Sequence, residues 1–335
     1  MKIYIFLLNS SAIGGIEKVA RNLSLILSES NVDVEVIDIL ELKKRYGNYS
    51  ELRLCFYFLN GKNKNDIILS LYDRLSIQLL LAKALCFNDV KIFACQHADY
   101  YANKFHTRML RRFFYKKAER IIALTSTDKK LYNQCGLNNV IVIPNPLAYY
   151  PKNIPTFLSR TNNVIAAGRL NKIKSFESVI DLAVIMSDLE HIKFSLYGDG
   201  EEIDFLKAYI KTLGFDYNEI LRGSTLRLDE CFISSKFLVV TSKRESFSMV
   251  ILEAMASGCI PISFDCPTGP RELIEHGVNG FLVPMGDIFG IKHIIEMLLD
   301  NPSLAEQISI NARVKASSYT KTNIMAMWGN VINEL

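Results

Sequence analysis

The run Glu245-Ser-Phe-Ser-Met-Val-Ile-Leu-Glu253 sets two carboxylates eight residues apart, the first in a loop after an apolar strand-like run and the second inside a helical pattern. If Ser248 caps that helix, Glu253 stands about 7 Å along its axis at ~1.5 Å per residue, so both carboxylates can face one crevice. Carboxylate oxygens accept hydrogen bonds from sugar and ribose hydroxyls. The same letters also fit a helix glutamate paired with a neighbouring lysine or arginine, and spacing alone does not decide between the two.

Two further segments carry charge or freedom where a phosphate would need it. Gly168-Arg-Leu-Asn-Lys-Ile-Lys174 follows another strand-like run, so Arg169 and Lys174 would project from its end. Arginine offers paired donors to phosphate oxygens and lysine a mobile point charge, which suits a nucleoside diphosphate as it leaves, although a solvated basic turn reads the same way. Gly14 and Gly15 lie between the first strand and a helix beginning near Glu17, where bare backbone amides can approach an anion, or where the chain simply turns tightly. His97, just past a strand ending at Cys95, is either an active-site hydrogen-bonding group or a structural one.

The elements that must position these residues follow from hydrophobic period. Short apolar runs alternate with longer segments of helical period, the pattern of parallel strands covered on both faces. Strands are expected at Lys2 to Leu8, Asp33 to Ile39, Asp66 to Leu69, Val90 to Cys95, Arg120 to Leu124 and Val140 to Ile143. After the four prolines between Pro144 and Pro155 the alternation restarts, with strands at Asn163 to Ala167, Lys193 to Tyr197, Glu219 to Arg222, Phe237 to Thr241, Ile260 to Phe264 and Gly280 to Val283. Two Rossmann-like α/β domains in tandem result, and such sheets bind ligands beyond the carboxyl ends of their strands.

The Glu-x7-Glu run, the Gly-Arg-Leu with its lysine five residues after the arginine, the amino-terminal Gly-Gly, Pro144-Asn-Pro146 and the Tyr197-Gly-Asp-Gly200 turn together resemble glycosyltransferase family 4 over nearly the whole chain. That resemblance implies a GT-B fold with two facing domains, a central cleft and a C-terminal crossover helix. Residues 1–150 would form the acceptor-side domain, 151–318 the nucleotide-sugar domain, and 319–335 a helix returning to the first domain. It implies a hexosyltransferase that retains anomeric configuration and needs no cofactor or metal, and no Asp-x-Asp metal motif occurs. By the same resemblance Glu253 would bind the ribose, Glu245 the donor sugar, Arg169 and Lys174 the diphosphate, and Gly15, with Gly14, the phosphate from the other domain. Phe247, Ser248 and Met249 would join the donor site, and His97 would sit near the donor sugar or the reacting bond. Ser246 and Ser175 stand where the family commonly has glycine, which leaves the local backbone path open.

The acceptor is suggested by charge. From Lys104 to Arg120 seven basic residues face one acidic residue, with aromatic and aliphatic residues interleaved. A basic amphipathic helix carrying Lys104, Arg108, Arg111, Arg112, Lys116 and Lys117 could lie on an anionic membrane or hold the diphosphate of a lipid-linked acceptor; alternatively it is solvated, with its phenylalanines in the core. Asp265-Cys-Pro-Thr-Gly-Pro-Arg-Glu-Leu-Ile274 resembles a loop of bacterial family members that build surface glycans, or is a proline-bounded turn. The expected partners are therefore a UDP-sugar carrying a hexose or N-acetylhexosamine, a lipid-linked or polysaccharide acceptor and the inner membrane face, in a cytoplasmic peripheral protein. Seven cysteines without a Cys-x-x-Cys spacing read as reduced core thiols. A net charge of +4 with no readout motif argues against nucleic acid. A UDP-sugar epimerase and a noncatalytic nucleotide-sugar scaffold are the competing readings.

Overall fold

A computed structural model describes residues 1–11, 15–29 and 32–334. The chain divides into two compact units, one formed by residues 1–146 with 321–335 and the other by residues 147–320. In unit 1 the strands are β1 (Lys2–Leu7), β2 (Asp33–Asp38), β3 (Ile67–Ser70), β4 (Lys91–Cys95), β5 (Arg120–Ala123) and β6 (Val140–Val142). They pair in the order β2-β1-β3-β4-β5-β6, all parallel. Alternate residues feed two cores: Tyr4, Phe6, Ile68 and Ile92 go to one face of the sheet, Ile3, Ile5, Leu69 and Phe93 to the other. Burial on both faces is why β1, β3 and β4 are largely apolar, while the edge strand β2 carries Asp33 and Glu35.

The final helix, Lys321–Asn333, belongs to unit 1: Ile324, Trp328, Val331 and Ile332 pack with Leu23 and Leu27 of the helix Gly15–Ser28. Lys321 reaches Glu29 of the same layer.

Unit 2 repeats the plan with β7 (Thr161–Ala167), β8 (Lys193–Tyr197), β9 (Leu221–Gly223), β10 (Ser235–Val240), β11 (Ile260–Phe264) and β12 (Phe281–Val283). The order is β12-β11-β10-β7-β8-β9, again parallel throughout. In both units, consecutive strands run from the sheet centre to an edge and then return to the centre, and the loops at the carboxyl ends of these strands diverge there. The strand expected over Glu219 to Arg222 begins later than its apolar letters suggest. Asp216 accepts a hydrogen bond from the Asn218 amide and starts a single turn of helix, Tyr217–Ile220, which delays β9 to Leu221.

The basic segment also differs from its expectation as one helix through Arg120. The helix runs Phe105–Phe114, a short tighter turn covers Tyr115–Lys117, and Arg120 already opens β5. Arg111 is 1% exposed and thus no part of a membrane- or acceptor-facing surface. It pairs with Asp73 at 3.3 Å, donates to the Tyr100 carbonyl, and lies over the rings of Tyr100 and Tyr132 at 4.3 and 4.9 Å. The physical reason is Asp73: a buried carboxylate on the neighbouring helix draws the one arginine on the inner side of the basic helix. Lys104, Arg112, Lys116 and Lys117 are exposed and Arg108 is half-buried. Of the three phenylalanines only Phe114 packs against the core; Phe105 is 70% and Phe113 66% exposed, with Met109 at 59% between them.

Candidate active site

At the carboxyl edge of the unit 2 sheet, the loops after β7, β8, β10 and β11 are tied together. Gly168 donates its amide to the Tyr197 carbonyl at 3.0 Å and Leu170 donates to the Asp199 carbonyl at 2.9 Å. A Cβ built on Gly198 would overlap the Gly168 carbonyl oxygen, and one on Gly200 would overlap Leu170. The glycines of the Tyr-Gly-Asp-Gly turn are therefore required for two backbones to touch.

The loop after β7 is then fastened to the loop after β10. The Lys243 amide donates to the Ile173 carbonyl at 2.8 Å, and the Thr241 hydroxyl donates to the carbonyls of Lys174 and Ser175 at 3.0 and 2.9 Å. These bonds present Lys174 to Glu245, with Nζ to Oε1 at 2.5 Å and the Ser242 hydroxyl donating to the same oxygen at 2.7 Å. Ser175, at the position where glycine is commoner, takes a left-handed φ of 50°. Its hydroxyl donates to Glu177 at 2.9 Å, a local bond available to serine and absent for glycine.

Glu245 is held from the other side by the loop after β11. The Thr268 hydroxyl donates to the Glu245 carbonyl at 2.5 Å, and a Cβ on Gly269 would come within 2.8 Å of the Glu245 Cβ. Cys266, whose pKa is pushed up to about 12 by burial with the Glu245 charge beside it, stays a neutral thiol that packs the loop. This loop is more than a proline-bounded turn.

Helix Met249–Ala256 follows, with Ser248 at its N-cap position and Glu253 half-buried on its second turn. Ser248 does not cap in the expected way: its φ is 66°, and its buried hydroxyl has no hydrogen-bond partner among the described residues. An unpaired buried hydroxyl beside the free amides of a helix start is a place where an anionic ligand oxygen would gain bonds. The Phe247 ring is 1% exposed and packs against Tyr319 with centroids 5.6 Å apart, which leaves its backbone as the part that could meet a donor. Aromatic burial outweighs exposure to a ligand there. Met249 is half-buried at the helix start. Arg169 is brought to the same edge but not to the Lys174–Glu245 pair. It is largely exposed and meets the exposed Glu201 at 3.4 Å, an ion pair of little energetic weight that a diphosphate could displace.

In unit 1, Gly15 is exposed as the first residue of its helix and Gly14 lies outside the described residues. His97 follows β4 at the carboxyl edge of that sheet, where the Gln96 amide donates to the Ile122 carbonyl at 2.8 Å. Its Nδ1 is buried and unpartnered among the described residues, and burial lowers its pKa to about 4. The ring borders a small cavity shared with Val19, Leu23, Asn145 and Trp328 of the final helix. Trp328 as a wall of the His97 pocket was not legible in the sequence; Ser242 and Thr241 as supports of Lys174 and Glu245 were marked only by being small and polar at a strand end. Among the described residues no three His, Cys, Asp or Glu are grouped to hold a metal.

The His97 shift has a stability consequence. Between its ordinary 6.5 and the folded value of about 4, the unfolded chain takes up a proton that the folded chain refuses. His97 therefore supports the fold fully above about pH 6.5, and its contribution falls away as pH drops toward 4. Asp128, raised to about 6 by burial despite bonds from Thr125 and Gln96, works in the opposite direction and loses its contribution as pH rises through 6. A His97→Gln variant keeps Asp128, so its stability relative to wild type should improve from pH 7.5 to pH 5 in urea titrations followed by Trp328 fluorescence. A pH-independent difference would show that His97 does not titrate in this way.

Two parallel six-stranded sheets, each with its polar residues gathered at the carboxyl-edge loops, define an α/β protein of the GT-B class. The solved HepE of Anabaena in complex with UDP superposes on all of this chain and all of its own, with a TM-score of 0.82 at 20% identity. Residues 152–315 match the family model Glycosyl transferases group 1; that domain accounts for nearly all of unit 2, and the chain is a glycosyltransferase. An uncharacterized glycosyltransferase of Haemophilus influenzae is 26% identical over 352 residues, covering 99% of each chain. The amylovoran biosynthesis glycosyltransferase AmsD of Erwinia amylovora is likewise 26% identical over 355 residues, with 99% of each chain covered.

Proposed function

We propose that this enzyme belongs to glycosyltransferase family 4 and moves a hexose or N-acetylhexosamine from a UDP-sugar to a lipid-linked or polysaccharide acceptor in bacterial surface glycan synthesis, with retention of anomeric configuration. The observation that carries this reading is the pair formed by half-buried Lys174 and buried Glu245, braced by four loops at the carboxyl edge of unit 2. As the sugar–phosphate bond breaks, negative charge grows on the diphosphate. Lys174 and Arg169 neutralise it, the amides at the start of helix Met249–Ala256 add their dipole, and Ser248 gains a partner. Glu253 accepts from the ribose hydroxyls and Glu245 from the donor sugar. His97, neutral above about pH 5, is suited to hydrogen-bonding a sugar hydroxyl and not to carrying charge. These protein cations take the part that a divalent metal plays elsewhere, so transfer should persist in excess chelator.

The UDP bound by HepE supports the donor nucleotide, and AmsD, named for amylovoran biosynthesis, supports a surface polysaccharide as the product. Incubation with a panel of nucleotide sugars and lipid-linked acceptors, read by mass spectrometry, tests both. Addition of one hexose or acetylhexosamine from a UDP-sugar is expected. Conversion of UDP-sugar without any acceptor would instead identify an epimerase.

For the membrane, the support is the outer face of helix Phe105–Phe114. Phe105, Met109 and Phe113 recur at helical spacing and are exposed, flanked by Lys104, Arg108, Arg112, Lys116 and Lys117. No described helix is long and apolar enough to cross a membrane, so attachment from the inner, cytoplasmic face would rest on this surface. Sedimentation with vesicles containing anionic phosphatidylglycerol should drop at least tenfold in a Phe105→Ser, Met109→Ser, Phe113→Ser variant. Equal sedimentation of variant and wild type would remove the helix from any membrane role.

A further inference from the structure

The β8–β9 edge of the unit 2 sheet carries a second polar concavity. β8 alternates strictly: Phe194 and Leu196 enter the core, while Lys193, Ser195 and Tyr197 lie on the other face, in register with Asn163, Ile165 and Ala167 of β7. A parallel sheet is normally covered on both faces by helices. On this face the connection from β9 to β10 is only the seven-residue helix Leu228–Ser234, which packs on β10 and β7. Beyond it a cavity of about 370 Å³ lies over the start of β7 and the length of β8 and reaches Arg222 of β9, within the range of roughly 300–1,000 Å³ that small-molecule sites occupy.

Its chemistry is one-sided. Lys193 and Arg222 contribute two permanent cations, and no carboxylate lines the cavity. Neither cation forms an ion pair within the described residues; Arg222 is steadied only by donating to the Asn218 carbonyl at 3.1 Å. The neutral polar groups are oriented in advance: Ser195 donates to Asn163 at 3.1 Å, Asn163 donates to Ser235 at 2.9 Å, and Lys236 fixes Asn162 at 2.6 Å. A shelf of oriented amides and hydroxyls closed by two unpaired cations matches hydroxyl-rich ligands that also carry an acidic group. The cavity lies along the β8–β9 edge of the sheet, whereas Lys174 and Glu245 are carried by the loops after β7 and β10, and none of Arg169, Lys174, Glu245 and Glu253 lines it, so this is not the donor site.

We propose that this shelf on the β8–β9 edge is a second saccharide site, which holds an acidic sugar unit of the glycan being built. It rests on the surface-glycan reading for the identity of the chain held, but not for the existence of the site. Retaining the product near the enzyme would raise its effective concentration for the next transfer.

The test is calorimetric titration of the full-length protein with hexagalacturonate, maltohexaose, inorganic phosphate and UDP. Hexagalacturonate should bind, maltohexaose and phosphate at least tenfold more weakly. The exposed pair Lys193→Glu, Arg222→Glu should weaken hexagalacturonate at least tenfold, and the milder Lys193→Gln, Arg222→Gln several-fold, with UDP affinity unchanged in both. Absence of hexagalacturonate binding, equal binding of maltohexaose or phosphate, or binding indifferent to both double variants would overturn the proposal. Wild-type hexagalacturonate binding that the variants lose, in a protein that transfers no sugar, would leave the site standing and overturn only the functional reading.

Discussion

Replacing Lys174 by alanine should lower the turnover of sugar transfer by ~10²–10³-fold, the range expected when one fixed electrostatic partner of a developing charge is removed. The loss should fall on kcat more than on KM, because the diphosphate carries its extra charge only as the bond breaks. Lys174→Arg should recover little. The loop after β7 is fastened by Thr241 and Lys243 so that a single Nζ meets Glu245 at 2.5 Å, and a planar fork cannot occupy that point. A structural role must be separated from this. Lys174→Ala also leaves Glu245, 8% exposed, with Ser242 alone on the oxygen it shared. Adding Glu245→Gln should restore thermal stability while transfer stays low. If instead the double variant recovers turnover, Lys174 serves only to neutralise Glu245, and the diphosphate role is wrong.

That pair shows what the sequence made legible and what it did not. The central strands announced themselves because parallel strands buried on both faces must be apolar, and β8 and β11 fall at the expected boundaries, whereas the exposed edge strand β9 starts later than its letters suggested. Glu245 and Lys174 were each visible as a charge beside a strand end. Their contact was not, because it spans 71 residues and depends on loop geometry set by Gly198, Thr241 and Gly269, whose letters state permission without direction. Ser248 shows the same limit: a serine before a helical run predicts a cap, yet the backbone there is left-handed and the hydroxyl goes unpaired. Arg111 is the sharpest case. Seven basic residues in one stretch look interchangeable until Asp73, 38 residues earlier, selects one of them for burial.

Arg111→Ala should therefore destabilise unit 1 by about 3–5 kcal/mol, the cost of leaving a buried ionised partner alone. Burial opposes the guanidinium charge, but Tyr132 and Asp73 more than compensate and hold its pKa above the ordinary arginine value. Asp73 retains Tyr115 at 2.5 Å and Asn103 after the change, which keeps the loss from growing further. Trp328 is the only tryptophan and lies in unit 1, so its fluorescence in urea reports this unit, while far-UV circular dichroism reports both. The fluorescence midpoint should fall and any later dichroism transition should stay in place. Because Arg111 ties the basic helix to the Tyr100 carbonyl and Asp73, the variant should also be cut faster by protease between Lys104 and Lys117, the segment whose outer face the membrane reading depends on. Replacing the neighbouring exposed Arg112 by alanine should do neither, since its charge is already in water. An equal loss in the two variants would mean that the buried pair contributes nothing beyond a surface charge, and the account of why this helix presents Phe105, Met109 and Phe113 outward would fail with it.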